Sequence, residues 1–223
     1  MCTAVTYQAA EFYMGRTLDY DCSFGEEVVI TPRKFPLPGA YAVIGMAHAA
    51  EGFPLYYDAV NEKGLGMAGL NFVGNAKYRQ PEDGRCNVPQ YAMLLRVLRQ
   101  CATLAQARAF LQTFNVTGEP FGQYPAAELH WLLADRTGAL AAEPMADGLR
   151  LYENPVGVLT NNPPFDRQLP GLSWYMQLSA KPPENRFSSA LPLRADSRGM
   201  GAVGLPGDWS SQSRFVRAAF ARM

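Results

Sequence analysis

Three changes of hydrophobic period divide the chain, and they constrain its fold more than any other feature. From residue 4 to residue 72 the apolar residues fall in short β-favouring runs. These are AVTYQ, EFYMGRTLDYD, EEVVITPR closed by a proline, AYAVIGMAHA, and LYYDAVNEKGLGMAGLNF, in which NEKG reads as a turn. Residues 88–114 switch to helical spacing. Leu94, Leu95, Val97 and Leu98 recur on one helix, Leu104, Ala107, Phe110 and Leu111 on a second, and Thr103 is placed to cap the second. Strand-like runs return as ELHWLLAD, ALAAEPM, LRLYEN and VGVLTNNP, and read as a β-meander turning at RTG and DG. Residues 163–207, rich in Pro, Ser, Gly and Arg, read as a long excursion, and SSQSRFVRAAFARM as a closing amphipathic helix with serine caps. Strands, then helices, then strands again predict an α+β layered domain. A length of 223 residues suits a single domain over 1–223.

Composition removes several classes of function. Twenty basic residues balance twenty acidic ones, so nothing points to nucleic acid or an anionic membrane as partner. No run reaches the ~18 apolar residues of a spanning helix, and the N-terminus lacks a basic and then apolar leader. A cytoplasmic protein is expected. Cys2, Cys22, Cys86 and Cys101 show neither CxxC spacing nor a dense framework, which argues against disulfides and structural zinc. HExxH and a Walker loop are missing from the sequence, and the GxGxxG at residues 64–69, GLGMAG, lies within a strand-like run and opens no helix.

What remains is MCTA at the start. A small residue after Met1 is usually without meaning, but removal of Met1 would leave Cys2 with a thiol and a free α-amino group. These titrate near ~8.5 and ~7.7–8.0, so one residue would hold both a nucleophile and a base. Such a thiolate needs a nearby cation, a partner for the amine and donors for an oxyanion. GRTLDY offers Arg16 and Asp19, which taken alone read as a surface ion pair. On a strand their spacing puts them on opposite faces, so the chain must turn between them if both serve one site. Asn71, and Asn161 with Asn162, offer amides at strand ends, although Asn before Pro also serves turns. Arg214 near a helix start opposes the helix dipole, which calls for a reason. His48 and His130 read as structural, with a Cys–His pair as the alternative.

MCTA, GRTLDY, EEVVITPR, NEKGLGMAGLNF, NPVGVLTNNP and SRFVRAAF, in this order from one end of the chain to the other, resemble the choloylglycine hydrolase family. That family contains conjugated bile salt hydrolases and penicillin V acylases. The resemblance implies a four-layer αββα N-terminal-nucleophile hydrolase sandwich. It implies Cys2 as nucleophile, Arg16 beside the thiol, Asp19 on the α-amino group, and Arg214 as the remaining charged site residue. Asn71 N–H and the Asn161 side chain would form the oxyanion hole. Tyr20 and Phe24 would wall an apolar sterol pocket, core aromatics being the alternative. No metal or other cofactor is implied.

Asn71 and the TNNP sequence point to conjugated bile acids rather than penicillin V. A penicillin V or acyl-homoserine lactone acylase, or an inactive remnant serving in assembly, are the alternatives. SRG at 197–199 and LPG at 205–207 mark a loop that helps relatives form tetramers, so a homo-oligomer is expected. Typical members continue well past SRFVRAAF. The chain is therefore expected to be short at its C-terminus, with unpaired strand edges, uncovered apolar faces and weak stability.

Overall fold

The computed structural model describes residues 1–223. Two antiparallel sheets lie face to face. The larger has seven strands in the order β11 (Gly148–Glu153), β10 (Gly138–Met145), β9 (Leu129–Asp135), β6 (Gly66–Asn71), β5 (Phe53–Asn61), β4 (Val43–Ala50) and β3 (Glu27–Thr31). The smaller has β12 (Val158–Leu159), β1 (Cys2–Gln8) and β2 (Phe12–Leu18), with β1 in the middle. Helices α1 (Met93–Gln100) and α2 (Leu104–Leu111) cover the outer face of the large sheet, and α3 (Phe165–Gly171) and α4 (Ser211–Arg222) cover the small one. This is the expected αββα sandwich.

The period-2 alternation of the strands builds two cores. Strand β9 sends Trp131 and Leu133 toward α1 and α2, and Leu132 and Ala134 toward the small sheet. Buried on both faces, it reads as the near-continuous apolar run ELHWLLAD. Between the sheets the side chains are mostly small. Ala4, Ala68, Ala134, Ala139 and Ala141 let the layers approach, while Phe165 and Phe215 anchor α3 and α4. Thr103 caps α2 as expected, its hydroxyl accepting the Gln106 N–H at 3.3 Å.

Three elements differ from the sequence reading. The run VGVLTNNP is not a fourth strand of the meander: Val158 and Leu159 leave the large sheet and pair with Val5 and Ala4 of β1. The crossing needs Gly157, at φ +58°, where a Cβ would lie 2.0 Å from the Thr6 hydroxyl. Residues 163–207 contain α3 in addition to irregular chain, with Pro170 in its last turn. Cys86–Pro89 (β7) and Phe114–Thr117 (β8) form a short parallel pair flanking α1 and α2.

β2 has a neighbour on one side only, and Val28, Ile30, Ile44 and Val60 expose one apolar face of β3–β5. One buried cation organises the chain after β3. Arg99 of α1, 1% exposed, donates to the carbonyls of Pro32, Arg33, Phe35, Leu37, Gly39 and Tyr41 at 2.9–3.3 Å. No helix is long and apolar enough to cross a membrane.

Replacing Gly157 with Ala is expected to destabilise the fold by about 2–4 kcal/mol, from a positive φ combined with a clash in a packed layer. Urea unfolding beside the parent chain measures this, and a loss under about 0.5 kcal/mol would contradict it.

Candidate active site

Four segments bring their ends together at Cys2. On the β1–β2 ladder Cys2 faces Leu18 and Ala4 faces Arg16, so Arg16 is the diagonal neighbour of Cys2 on one face, within reach of a long side chain. Its Nη2 donates to Cys2 Sγ at 3.0 Å. The guanidinium is almost enclosed, at 5% exposure, and its nearest carboxylate is Asp58, 3.7 Å from Nη1.

Asp58 reaches this face through a bulge in β5. Asp58 pairs with Met46 but Tyr56 with Ala47, so Tyr57 is an extra residue. The bulge lets Tyr56 enter the outer core while Asp58 faces Arg16. Burial pushes the Asp58 carboxyl above the usual carboxylate range, and Arg16 opposes the rise.

Asn161 follows β12, and three hydrogen bonds fix the orientation of its amide. Oδ1 accepts from the Cys2 backbone nitrogen at 2.9 Å and from Arg214 Nη2 at 2.8 Å, while Nδ2 donates to the Asn71 carbonyl at 2.8 Å. One of the two amide hydrogens on Nδ2 remains uncommitted. Asn71, the last residue of β6, thus meets Asn161 through its backbone, and its side chain accepts from the Tyr20 hydroxyl at 3.2 Å. Arg214 enters from the first turn of α4. It binds the Cys2 carbonyl and, at 2.7 Å, the Thr3 hydroxyl, which gives the reason for a cation at that helix position. Desolvation pulls its pKa down, with Cys2 and Asp19 opposing.

Asp19 lies just past β2, where the chain turns as the spacing requires. In this chain, which carries Met1, Asp19 contacts the N-terminus through its backbone. Its N–H donates to the Met1 carbonyl at 2.9 Å, and its carbonyl accepts from the Met1 ammonium. Its carboxylate sits near the Thr17 hydroxyl, 3.5 Å away. Cys2 is 1% exposed and belongs to the core between the sheets.

An apolar cavity of about 290 Å³ opens beside Asn71. Tyr20 and Phe24 both line it, with Tyr57, Tyr91, Leu94 and Phe121. Tyr20 and Phe24 meet edge to face at 5.5 Å, so they form a wall rather than part of either core. Burial, and then the neighbouring Cys2, raise the pKa of the Tyr20 hydroxyl. The one polar pair in the lining is His48 Nε2 with the Tyr124 hydroxyl, 2.9 Å apart. Neither histidine hydrogen-bonds Cys2. His130 is a buried structural residue bound to Glu143 and the Thr160 carbonyl. Sequence reasoning missed Thr3, Asp58 and the far cavity wall. Asp58 alone left a signal, as a carboxylate inside the apolar run LYYDAV.

Residues 2–223 match the linear amide C–N hydrolases of the choloylglycine hydrolase type. The chain belongs to the choloylglycine hydrolase family. A bile salt hydrolase/transferase of Lactiplantibacillus plantarum is 46% identical over all of this chain and 72% of its own length. A bile salt hydrolase/transferase of Clostridium perfringens is 35% identical with the same coverage. The crystal structure of a variant of conjugated bile acid hydrolase from Clostridium perfringens superposes with a TM-score of 0.92, at 34% identity, over 99% of this chain and 72% of that one. Penicillin V acylase from Agrobacterium tumefaciens, at 22% identity and a TM-score of 0.74 over 98% of this chain and 64% of that one, shares the fold. The family places the chain among amide hydrolases with the N-terminal-nucleophile fold.

Asp208 ties the site to pH. It accepts from Ser210 N–H at 2.9 Å and from the Ser213 hydroxyl at 2.6 Å, at the start of the helix that carries Arg214. These bonds hold its carboxyl well below the usual carboxylate range. A depressed pKa stabilises the fold above the unfolded value of ~4 and loses that contribution as pH falls toward the native one. Asp208→Ala is therefore expected to melt at a lower temperature than the parent at pH 7, with the gap closing in strong acid. A gap independent of pH across a melting series would contradict this.

Proposed function

We propose that this chain hydrolyses the amide bond of bile acids conjugated to glycine or taurine, using Cys2 as an N-terminal nucleophile. The observation that carries the reading is the double contact on Cys2, with Arg16 Nη2 at 3.0 Å from its sulfur and Asn161 Oδ1 at 2.9 Å from its nitrogen. Both reactive atoms of one residue are thereby held. The names of the relatives, and an aromatic cavity suited to a sterol next to Asn71, support the substrate class.

Loss of Met1 turns the Cys2 nitrogen into a free amine. The Asp19 carboxylate, one residue past β2, then takes the place of its backbone as partner of that amine. The thiolate attacks the amide carbonyl, and the oxyanion forms against the Asn71 N–H and the uncommitted Asn161 N–H. Cys2 nitrogen passes a proton to the leaving amine as the C–N bond breaks, which leaves an acyl thioester. Water cleaves the thioester and restores the thiolate. Arg214 keeps the Asn161 amide oriented throughout by holding Oδ1. The reaction calls on no metal or cofactor. A homotetrameric assembly and a cytoplasmic setting belong to the same proposal.

The test is a hydrolysis panel of glycocholate, taurocholate and penicillin V. Conjugated bile salts are expected to have the higher kcat/KM, and a clear preference for penicillin V would reject the substrate class. Intact mass of active protein is expected to show Cys2 as the first residue, and Cys2→Ser to abolish turnover with an unchanged melt. Active protein that retains Met1, or a serine variant near full activity, would reject the mechanism.

A further inference from the structure

Asn161 depends on a layer of side chains that do not touch Cys2. His130 of β9 is fully buried and stacked flat on Phe72, with centroids 4.2 Å apart and planes 7° from parallel. Its Nε2 lies 2.7 Å from the Thr160 carbonyl and its Nδ1 2.9 Å from Glu143 Oε1. A carbonyl only accepts, so Nε2 carries a hydrogen and the ring's orientation is set. One further proton lies between Nδ1 and Glu143, and on either atom it completes the hydrogen bond. The Glu143 carboxyl group also accepts the Phe165 N–H, at 3.0 and 3.2 Å.

Gln168 of α3 works from the other side. Its Nε2 donates to the carbonyls of Asn161, at 2.7 Å, and Pro163, at 2.6 Å, while its Oε1 accepts from the Thr160 hydroxyl at 3.0 Å. The Ser211 hydroxyl donates to Thr160 Oγ1 at 2.9 Å, which joins the layer to α4. His130, Glu143, Thr160 and Gln168 are all 0% exposed, and none of their side-chain polar atoms lacks a partner. Burying four polar side chains in one place is costly unless all are satisfied. The bonds do not spread through the core. Three of them end on the carbonyls of residues 160, 161 and 163, which flank a single side chain.

We propose that His130, held by Glu143, and Gln168 are positioning residues for Asn161, clamping its backbone from both sides so that its amide meets Cys2 and the oxyanion. The inference rests on the reading of Asn161 as an oxyanion donor. It assigns His130 a part in turnover without a part in proton transfer.

The test compares His130→Gln, Gln168→Met and Glu143→Gln with Asn161→Ala as reference, by kcat and KM on glycocholate, iodoacetamide alkylation of Cys2, and thermal melts. Asn161→Ala is expected to lower kcat by roughly 10²–10³. His130→Gln and Gln168→Met are expected to lower kcat roughly tenfold or more, because a small misplacement of a donor is costly. KM and the alkylation rate should stay within about twofold, since neither the cavity nor Arg16 is touched. Glu143→Gln supplies an N–H to Nδ1 and an oxygen to Phe165, so it should retain most of the activity. Should His130→Gln fail to fold, Gln168→Met carries the comparison, since Met matches Gln in length. Folded variants with kcat within twofold of the parent, or a loss confined to KM, would overturn the clamp while leaving Asn161 in place. An unchanged kcat in Asn161→Ala would overturn the reading of Asn161, and the clamp with it.

Discussion

The pairing of β1 between β2 and β12 is the constraint on which everything else depends. Its ladder with β2 runs from Cys2–Leu18 to Gln8–Phe12 without a break, and β12 joins it at Ala4 and Val5. A chain terminus normally frays because little holds it. Here it is the central strand of a sheet, covered by β6 on one face and α4 on the other. The role proposed for Cys2 calls for a terminus held this firmly. The same pairing delivers Arg16 from one neighbour and, just beyond the other, Asn161. The site is the shared end of three strands.

Much of this architecture was legible because the strands are simple. Runs buried on both faces look uniformly apolar, as β9 does, and half-buried runs alternate, as β2 does. Helical spacing separated α1 and α2 cleanly. The crossing at Gly157 was not legible, because a strand pairing with β1 and one continuing the meander share the same local pattern. Only the clash that a Cβ would meet marks the change of layer. Helix α3 was hidden for a different reason: FDRQLPG is short, contains a proline and has weak apolar periodicity, and packing against α4 maintains it.

The candidate site divides in the same way. Cys2, Arg16, Asn71, Asn161 and Arg214 were named from motifs and come together in the fold, while Asp19 meets the N-terminus through its backbone in a chain that carries Met1. Thr3, Asp58 and the His130–Glu143–Gln168 layer were out of reach of motif reasoning. Thr3 and Asp58 meet partners distant in sequence, Arg214 and Arg16, and a buried histidine reads as core filler until its two acceptors are seen.

The Arg99 cage separates the constraints on a loop from the identity of its residues. The guanidinium donates only to main-chain oxygens, so these hydrogen bonds do not depend on which side chains lie between Pro32 and Tyr41, while the Phe35 ring, 5.9 Å from the guanidinium, and Leu37 add packing against the core beside α1. The exception is Gly39, where a Cβ would sit 2.4 Å from that of Arg99. Sequence drift in this stretch therefore leaves the hydrogen bonds intact as long as its length and Gly39 are kept, with Phe35 and Leu37 needed for packing. A change at Arg99 releases six carbonyls at once, so one position in a helix fixes the main-chain path of ten residues of loop.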